Sequence, residues 1–520
     1  MQLRTLVRRN CYQDSVKLMQ LTRTVRGTPG VVRAAAVMGT DNNKATLARG
    51  GFDATLLAPA GPNDLLLVVE GEDEHVVEAA LEHYQSLLDA DAGGGAAAEG
   101  PTVRSIASAV AELPGANLAL ISVPGEYAAY EAFKALRAGL HVQVFSDNVS
   151  VEDEVSLKRL GRELGLLVMG PDCGTSLIGG TPVGFANVVA SGPVGIVGAS
   201  GTGIQELSVL VDQLGSGVSH AIGLGGRDLT DAVGGISASM ALDALAADEP
   251  THVVILTAKP PGPATGRAIV ERVRSYPKPV VVAFLGGDPH LVDGVAHVAA
   301  DLEEAARMAV ALAAPDAASS TALAFDLDEA ARSLGQDLAR GAVDRRFLRG
   351  LYTGGSLAYE ALLVLADRVG PVSSNISPTK ERTIAGSTRP HDHAVIDMGA
   401  DEFTVGRPHP MIDPDDRAER LIAEWADPTV AVILCDVVLG YGSHPNPAKP
   451  LADAVRTARR THGDGVVVIA SVCGTERDPQ RRSVQQQQLR DAGVLVAPTN
   501  AAAARAAGDF ARRRMDGWTA

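Results

Sequence analysis

Two short segments rich in glycine and hydroxyl side chains follow predicted β-strands and open predicted helices. The first N–H groups of a helix have no partner inside it, and the helix dipole places positive charge at the same end. We therefore predict that both segments bind phosphate or another anion. The alternative is a pair of tight turns capped by Ser or Thr. The predicted anion-binding residues are Ser200, Gly201, Thr202, Gly203, Gly354, Gly355 and Ser356.

Two loops that combine histidine with proline follow predicted strands in the C-terminal third. The first, GRPHPMID, contains Arg407 and His409, and the second, HPNP, contains His444 and Asn446. A guanidinium can bind a carboxylate or phosphate through two hydrogen bonds, and an imidazole can move a proton near neutral pH. We predict catalytic roles for Arg407, His409 and His444, with Asn446 as a further candidate. Proline-stiffened surface loops are the alternative interpretation.

A third polar segment, GTDNNK, follows a predicted strand near the N-terminus and ends in a cation. Its residues Asn43 and Lys44 are secondary candidates for binding, and a simple turn is the alternative. His290 and His297 are interpreted as surface histidines. None of the four cysteines forms a CxxC pair, so neither a zinc site nor a redox pair is indicated, and we expect no metal.

Predicted strands and helices alternate along the chain and must position these groups. This alternation predicts an α/β protein with parallel sheets. The first ninety residues have the pattern of a small ferredoxin-like βαβ module. A Rossmann-like domain is predicted for residues 102–190. Two flavodoxin-like domains are predicted for 191–313 and 346–515. Residues 90–101, which are rich in Ala and Gly, are interpreted as a linker.

The last two predicted domains repeat each other. GIVGASGTG at 195–203 corresponds to GLYTGGSLA at 350–358, and each is followed by an apolar helix that ends in glycine. Three further pairs follow in the same order: HAIGLGG with HAVIDMG, HVVILTAK with VAVILCDV, and PVVVAFLGG with VVVIASVCG. Four matches in sequence predict an internal duplication. We expect two sheets with the same strand order, facing each other as a pseudo-twofold pair.

The overall composition narrows the classes of partner. A net charge of −16 over 520 residues argues against nucleic acid or an anionic membrane as the main partner. The N-terminus shows no export signal and no apolar stretch is long enough to span a membrane, so we expect a soluble cytoplasmic protein. The expected ligand is a small-molecule substrate.

The sequence contains MGPDCGT at 169–175, together with GIVGASGTG, the paired repeats and GRPHPMID. On these motifs the chain resembles the FdrA family across most of its length. That family is similar to the fused cores of succinyl-CoA synthetase. The resemblance therefore implies a domain of the CoA-binding type at residues 102–190 and two domains of the succinyl-CoA synthetase type at 191–313 and 346–515. The resemblance implies separate partner subunits, and CoA, phosphate or an acyl phosphate as ligand. It also implies a carbamoyltransferase acting on oxamate or oxalurate in purine nitrogen catabolism. The alternatives are an acyl-CoA synthetase subunit and a scaffold or sensor without catalysis.

Two departures from succinyl-CoA synthetase bear on these alternatives. The Gly-His-Ala-Gly loop that carries its phosphorylated histidine does not occur in this sequence, and its supporting glutamate falls near Lys259, which reverses the charge. The resemblance therefore implies a free acyl phosphate, held by the two helix N-termini, with Arg407 binding the carboxylate of the second substrate. We expect the site between the two repeats.

Overall fold

The computed structural model describes residues 2–11, 13, 15–49, 51–94, 103–314, 323–336, 338, 344–404 and 408–516. The chain forms two compact units. Unit 1 comprises Met1–Thr102 and Asp401–His409, and unit 2 comprises Val103–Ala400 and Pro410–Ala520. No helix among the described residues is long and apolar enough to cross a membrane.

Unit 1 is built on a three-stranded antiparallel sheet of order β1-β3-β2. Side chains alternate across the central strand, so that Leu65, Leu67 and Val69 pack with α1 and α4 while Leu66 and Val68 face the opposite side. The N-terminal elements are β1 (Gln2–Arg8), α1 (Ser15–Arg26), β2 (Val31–Met38), α2 (Asp41–Arg49), α3 (Ala54–Leu57), β3 (Leu65–Gly71) and α4 (Glu74–Gly94).

Unit 2 begins with a small three-stranded parallel sheet of order β4-β5-β6. A hairpin follows it, and the first hairpin strand pairs with the next sheet along the chain. The elements are α5 (Ile106–Glu112), β4 (Leu118–Ile121), α6 (Gly125–Arg137), β5 (His141–Val144), α7 (Val151–Leu164), β6 (Val168–Met169), and the hairpin β7 (Thr175–Ile178) and β8 (Thr181–Gly184).

The first repeat is the parallel part of a seven-stranded sheet of order β13-β12-β11-β9-β10-β7-β8. Its elements are β9 (Val194–Gly198), α8 (Gly201–Gln213), β10 (Val218–Gly223), α9 (Ile236–Ala247), β11 (Val253–Ala258), α10 (Pro263–Arg274), β12 (Val280–Phe284), β13 (His297–Val298) and α11 (Leu302–Ala313), with a 3₁₀ helix at Pro289–Val292. The connection to the second repeat contains α12 (Leu327–Ser333).

The second repeat forms a six-stranded parallel sheet of order β15-β16-β14-β17-β18-β19. Its elements are β14 (Phe347–Tyr352), α13 (Gly355–Val369), β15 (Ser373–Ser374), β16 (Ala394–Asp397), α14 (Asp401–Thr404, grouped with unit 1), α15 (Asp415–Trp425), β17 (Val430–Val438), α16 (Ala448–His462), β18 (Val467–Cys473), α17 (Arg482–Asp491), β19 (Leu495–Ala497) and α18 (Asn500–Met515), with a 3₁₀ helix at Lys380–Arg382.

The two repeats have the same strand order. Numbering the main parallel strands along each repeat gives the order 2-1-3-4-5 in both, and β15 is an extra edge strand in the second. Strand 1 continues directly into α8 in one repeat and into α13 in the other. The predicted α/β fold class with duplicated flavodoxin-like domains is therefore confirmed.

Four helices form the layer between the two sheets: α8 and α11 from the first repeat, and α13 and α18 from the second. Their facing residues belong to one apolar core that spans both repeats. Alanine dominates the buried face of α18, which includes Ala503, Ala504 and Ala507. Small side chains let these helices approach closely, and this explains much of the alanine content.

A buried ion cluster joins the small parallel sheet to the first repeat. Lys158 on α7 is fully buried, and its Nζ lies 2.8 Å from Glu154 Oε1 and 2.7 Å from Asp228 Oδ1. Asp228 also accepts the N–H groups of Ser237 (3.1 Å) and Ala238 (2.9 Å) at the start of α9. Buried charges are tolerated only when they are paired and hydrogen-bonded, and each member here is.

We expect Lys158→Met to lower the free energy of unfolding by about 3–5 kcal/mol, because it leaves buried carboxylates without their cation. The matched control is Lys134→Met, since Lys134 forms a half-exposed pair with Glu131 on α6 and should contribute less than about 1 kcal/mol. Urea unfolding followed by circular dichroism measures both values. Equal effects of the two substitutions would show that the buried cluster is not structural.

Candidate functional site

The two predicted anion turns lie against each other. Ser200 is the N-cap of α8, and its hydroxyl forms a hydrogen bond with that of Ser356 in the first turn of α13. A Cβ atom added to Gly354 would lie only 2.9 Å from Cβ of Thr202, so a side chain there would force the helices apart. The segments Ser200–Gly203 and Gly354–Ser356, here called the helix junction, form one surface.

Several backbone donors remain available at the helix junction. Ser200 Oγ accepts the N–H of Gly203 at 3.0 Å, so the capping role is present in the first turn, whereas the N-cap Gly354 has no side chain to cap α13. Within the described part of the chain, the N–H groups of Gly201, Thr202, Gly355 and Ser356 donate to no protein acceptor. All four residues are half-buried. Two helix N-termini therefore offer their donors at one place, which suits an anion.

Asp436 holds the second turn in shape. Its carboxylate accepts the N–H groups of Thr353 (2.8 Å) and Gly354 (2.9 Å) and the hydroxyl of Thr353 (2.9 Å). Arg417 donates to the same carboxylate at 2.8 Å, and all these side chains are buried. The charge of Asp436 is thus offset, and the carboxylate orders the turn while leaving the next N–H groups available.

Lys259 supplies a cation beside the helix junction. Thr257 on β11 pairs with Gly198 on β9, so Lys259 and Ser200 each lie two residues beyond paired positions on neighbouring parallel strands. The Lys259 Nζ lies 5.1 Å from the centre of the Tyr359 ring on α13. The side chain is exposed, and among described residues no carboxylate lies within ion-pair distance of it. A lysine in this state strengthens an anion site.

A carboxylate limits the space on the other side. A Cβ atom added to Gly355 would lie 2.8 Å from Oδ2 of the buried Asp397. The other oxygen of Asp397 accepts the N–H of Gly399 at 2.9 Å. Position 355 therefore has no room for a side chain. A glycine at this position also lets an anion approach the backbone closely.

The loop that contains His444 begins beside α8. Gln205 on α8 donates to the carbonyl of Leu439, the last residue before the loop, at 3.3 Å. His444 Nδ1 accepts the N–H of Asn446 at 3.0 Å, and the His444 N–H donates to the carbonyl of Met411 at 2.7 Å. The structure thus anchors this loop next to α8, while the catalytic roles of His444 and Asn446 stay predictions.

The other predicted residues are not part of the described residues of unit 2. Arg407 falls outside the described residues. His409 belongs to unit 1, and burial lowers its pKa to about 4, so that it is neutral and a weak base near pH 7. In the same unit, Asn43 Nδ2 donates to a β2 carbonyl at 2.8 Å and Lys44 Nζ to a carbonyl at 3.1 Å. The helix junction is described from unit 2 residues alone, so the expected ring of Arg407, His409 and His444 around it stays a prediction.

Sequence reasoning missed two groups that shape the site. Asp436 is the only ionisable side chain except Cys435 in the apolar strand VAVILCDVV, and an acid in such a strand signals a specific partner. Lys259 is recognised from the sequence as a charge reversal in a loop after a strand, but its pairing with an anion turn is not; it lies two residues beyond Thr257, which pairs with Gly198, and so is level with Ser200.

Family models match three segments of the chain. A model described as "CoA-ligase" matches residues 351–510, one described as "CoA binding domain" matches 190–286, and one described as "AllF, heavy metal-associated domain" matches 1–102. The first spans most of the second repeat, and the second spans β9 to β12 of the first repeat. The chain therefore carries CoA-ligase-type and CoA-binding-type domains, and the CoA-binding type of residues 102–190 stays a prediction.

One relative matches almost the whole chain. The uncharacterized protein YahF of Escherichia coli K12 is 40% identical over 505 residues, which are 96% of this chain and 97% of YahF. The chain belongs to the YahF family. The similarity to YahF therefore spans both repeats and unit 1.

More distant relatives are subunits of CoA ligases. The α subunit 1 of succinate–CoA ligase from Archaeoglobus fulgidus is 31% identical over 199 residues, or 37% of this chain and 66% of that subunit. The SauD subunit of the sulfoacetate–CoA ligase of Bilophila wadsworthia is 27% identical over 195 residues, or 36% of this chain and 64% of SauD. The match thus spans about two thirds of each subunit, and relates part of the YahF-family chain to ADP-forming ligases.

The residues of unit 1 do not fit a heavy metal. Soft metal ions prefer thiolate ligands, and residues 1–102 contain one cysteine, Cys11. Among the described residues no group of three or more His, Cys, Asp or Glu side chains could hold a metal ion. We assign no metal chemistry to this unit.

We expect Gly355→Val to abolish anion binding at the helix junction, because its side chain would meet Asp397 and cover the free N–H groups. Titration calorimetry with inorganic phosphate should show affinity weakened at least about tenfold, or about 1.4 kcal/mol. The control is Gly115→Val, because a Cβ atom there meets no atom within 4 Å. Unchanged phosphate affinity in a folded Gly355→Val protein would exclude this surface.

Proposed function

We propose that the chain is the core subunit of an acyl-CoA synthetase-type enzyme, and that an acyl phosphate reacts at the helix junction. The support from relatives is the match to CoA-ligase and CoA-binding models and the similarity to ligase α subunits. The substrates of those enzymes are carboxylic acids, as the names succinate–CoA ligase and sulfoacetate–CoA ligase state.

One structural observation carries the proposal. The N-termini of α8 and α13 meet at Ser200 and Ser356 with unused N–H groups from both helices and the cation of Lys259 beside them. A single helix N-terminus favours an anion by about 0.3–1 kcal/mol when exposed and up to about 2 kcal/mol when partly buried. Two N-termini and a lysine together suit the charge of a phosphoryl group.

The proposed step is transfer of an acyl group from phosphate to the sulfur of CoA. The CoA thiolate attacks the carbonyl carbon, the bond from that carbon to the phosphate oxygen breaks, and phosphate leaves with its electron pair. The negative charge that grows on the leaving phosphate is stabilised by donors that are already in place. The N–H groups of Gly355 and Ser356 and the ammonium of Lys259 are the donors we assign to this role.

A second candidate is the FdrA-type reaction within a complex with partner subunits, in which the carbamoyl group of oxalurate moves to phosphate and gives carbamoyl phosphate and oxamate, or the reverse. Two observations favour it. Carbamoyl phosphate is itself an acyl phosphate and suits the same donors. The sequence has Lys259 where ligases carry a glutamate, and lacks their Gly-His-Ala-Gly loop, so a free acyl phosphate is the simpler ligand.

The test is to incubate the chain, copurified with any proteins that it retains, with acetyl phosphate, succinyl phosphate or carbamoyl phosphate. We expect CoA-dependent phosphate release and a matching acyl-CoA detected by mass spectrometry. Lys259→Met should slow the reaction at least about tenfold. Arg456→Ala, which removes a half-exposed cation paired with Asp453, should not. Consumption of carbamoyl phosphate that depends on oxamate and not on CoA would support the second candidate, and no reaction with any substrate would contradict both.

We also expect no phosphohistidine when the chain is mixed with ATP and magnesium. His290 follows β12, one strand further from β9 than Lys259, and its exposed ring contacts Asp293 at 2.8 Å. His297 begins the edge strand β13. Mass spectrometry under alkaline conditions checks this result. Acid-labile phosphate on either histidine would restore the phosphohistidine mechanism of the ADP-forming ligases.

A further inference from the structure

Two buried glutamates occupy equivalent positions in the repeats. Glu206 is the sixth residue of α8, and Glu360 is the sixth residue of α13. Glu206 Oε1 accepts the N–H of Asn500, the first residue of α18 in the second repeat, at 3.1 Å. Glu360 Oε1 accepts the N–H of Leu302, the first residue of α11 in the first repeat, at 2.7 Å. Each carboxyl thus caps the last helix of the opposite repeat, as pseudo-twofold symmetry requires.

Asn500 connects the two carboxyls. Its N–H binds Glu206, and its side-chain Nδ2 donates to Glu360 Oε2 at 2.7 Å and to the carbonyl of Leu357 at 2.9 Å. The Oδ1 atom of Asn500 is buried and receives no hydrogen bond from any described group. A carboxylic acid hydroxyl is a donor that this cluster lacks, and a proton on one of the two glutamates would provide it.

The helices and strands that pack against Glu206 and Glu360 carry further charged and titratable groups. On α11 and its cap are Asp301 and Glu303, both ion-paired with Arg505 of α18 at 2.8 and 2.6 Å. The other groups are the thiol of Cys473 on β18, Arg482 on α17 and the phenol of Tyr352 on β14. Arg505 is committed to Asp301 and Glu303, so no direct ion pair with a cation neutralises Glu206 or Glu360 among the described residues.

We propose that Glu206 and Glu360 form a proton-binding pair that controls how tightly the two repeats close on each other. With one proton present, the pair carries a single negative charge and forms a hydrogen-bonded bridge with Asn500 across the four-helix layer. When the proton is lost, two buried carboxylates that share Asn500 repel each other. Glu206 and Glu360 lie on α8 and α13, the two helices that begin at the helix junction. Loosening of the helix layer would therefore move the two segments of the helix junction apart.

The direction of the pH effect follows from burial. Desolvation raises the pKa of Glu360 to about 8, and it also raises the pKa of Glu206. A glutamate carboxyl in the unfolded chain has its ordinary pKa of 4.5. The folded state therefore holds more protons between these values, and its stability falls as pH rises through that interval.

The test combines two measurements on the full chain. Infrared spectroscopy of the wild type should show the C=O stretch of a protonated carboxyl that disappears as pH rises past about 8. Hydrogen exchange, corrected for its intrinsic pH dependence, should accelerate several-fold in α8, α13, α11 and α18 over the same range, and less in the small sheet β4-β5-β6.

Glu360→Gln should remove the infrared band and flatten the pH dependence of exchange in the four helices. Glu271→Gln is the control, because Glu271 is exposed on α10, and it should behave as the wild type. The proposal is wrong if the wild type lacks the protonated band near neutral pH, a result that needs no variant to fold. It is also wrong if folded Glu360→Gln keeps the wild-type pH dependence. Neither result depends on the acyl-transfer proposal.

Discussion

The contact between the first helices of the two repeats determines where every group of the candidate site lies. Each helix starts at the carboxyl end of strand 1 of its sheet, where α/β proteins bind ligands. Because both sheets bury their helices in one shared layer, the two starting points are brought together at Ser200 and Ser356. The glycine at 354 follows from this contact, since a side chain there would collide with Thr202, whereas the glycine at 355 avoids Asp397 of its own repeat.

Charge is distributed unevenly through unit 2. Two buried cations are paired with carboxylates, Lys158 with Glu154 and Asp228, and Arg417 with Asp436. Lys259 differs, because it is exposed beside two helix N-termini and forms no ion pair with a described residue. In a chain with a net charge of −16, an unpaired cation at that position is the feature that most favours an anionic ligand.

The sequence predicted the fold well because its signals are local. Apolar runs such as VVILTA and the glycine turns after them define strands and helix starts, and the order of four such pairs revealed the duplication. The two anion turns were predicted for the same reason. The convergence of Ser200 with Ser356 could be expected only from the repeat symmetry and the resemblance, since no local pattern records it.

Groups that act across the chain escaped prediction. Asp436 orders a turn 83 residues away, and Glu206 and Asn500 meet across 294 residues. Local periodicity does not encode such pairs, although an acid inside an apolar strand or helix indicates that some partner exists. The pairing of the hairpin β7–β8 with the sheet of the first repeat also escaped prediction, because the contact of Leu177 with Ala221 is non-local.

The most direct test of the account is a crystal structure of the chain soaked in tungstate, a tetrahedral dianion with strong anomalous scattering. We expect an anomalous peak at the helix junction, with oxygens in hydrogen-bonding range of the N–H groups of Gly201, Thr202, Gly355 and Ser356 and with Lys259 turned toward it. Tungstate bound elsewhere while the helix junction stays empty would contradict the central claim that two converging helix N-termini form the anion site.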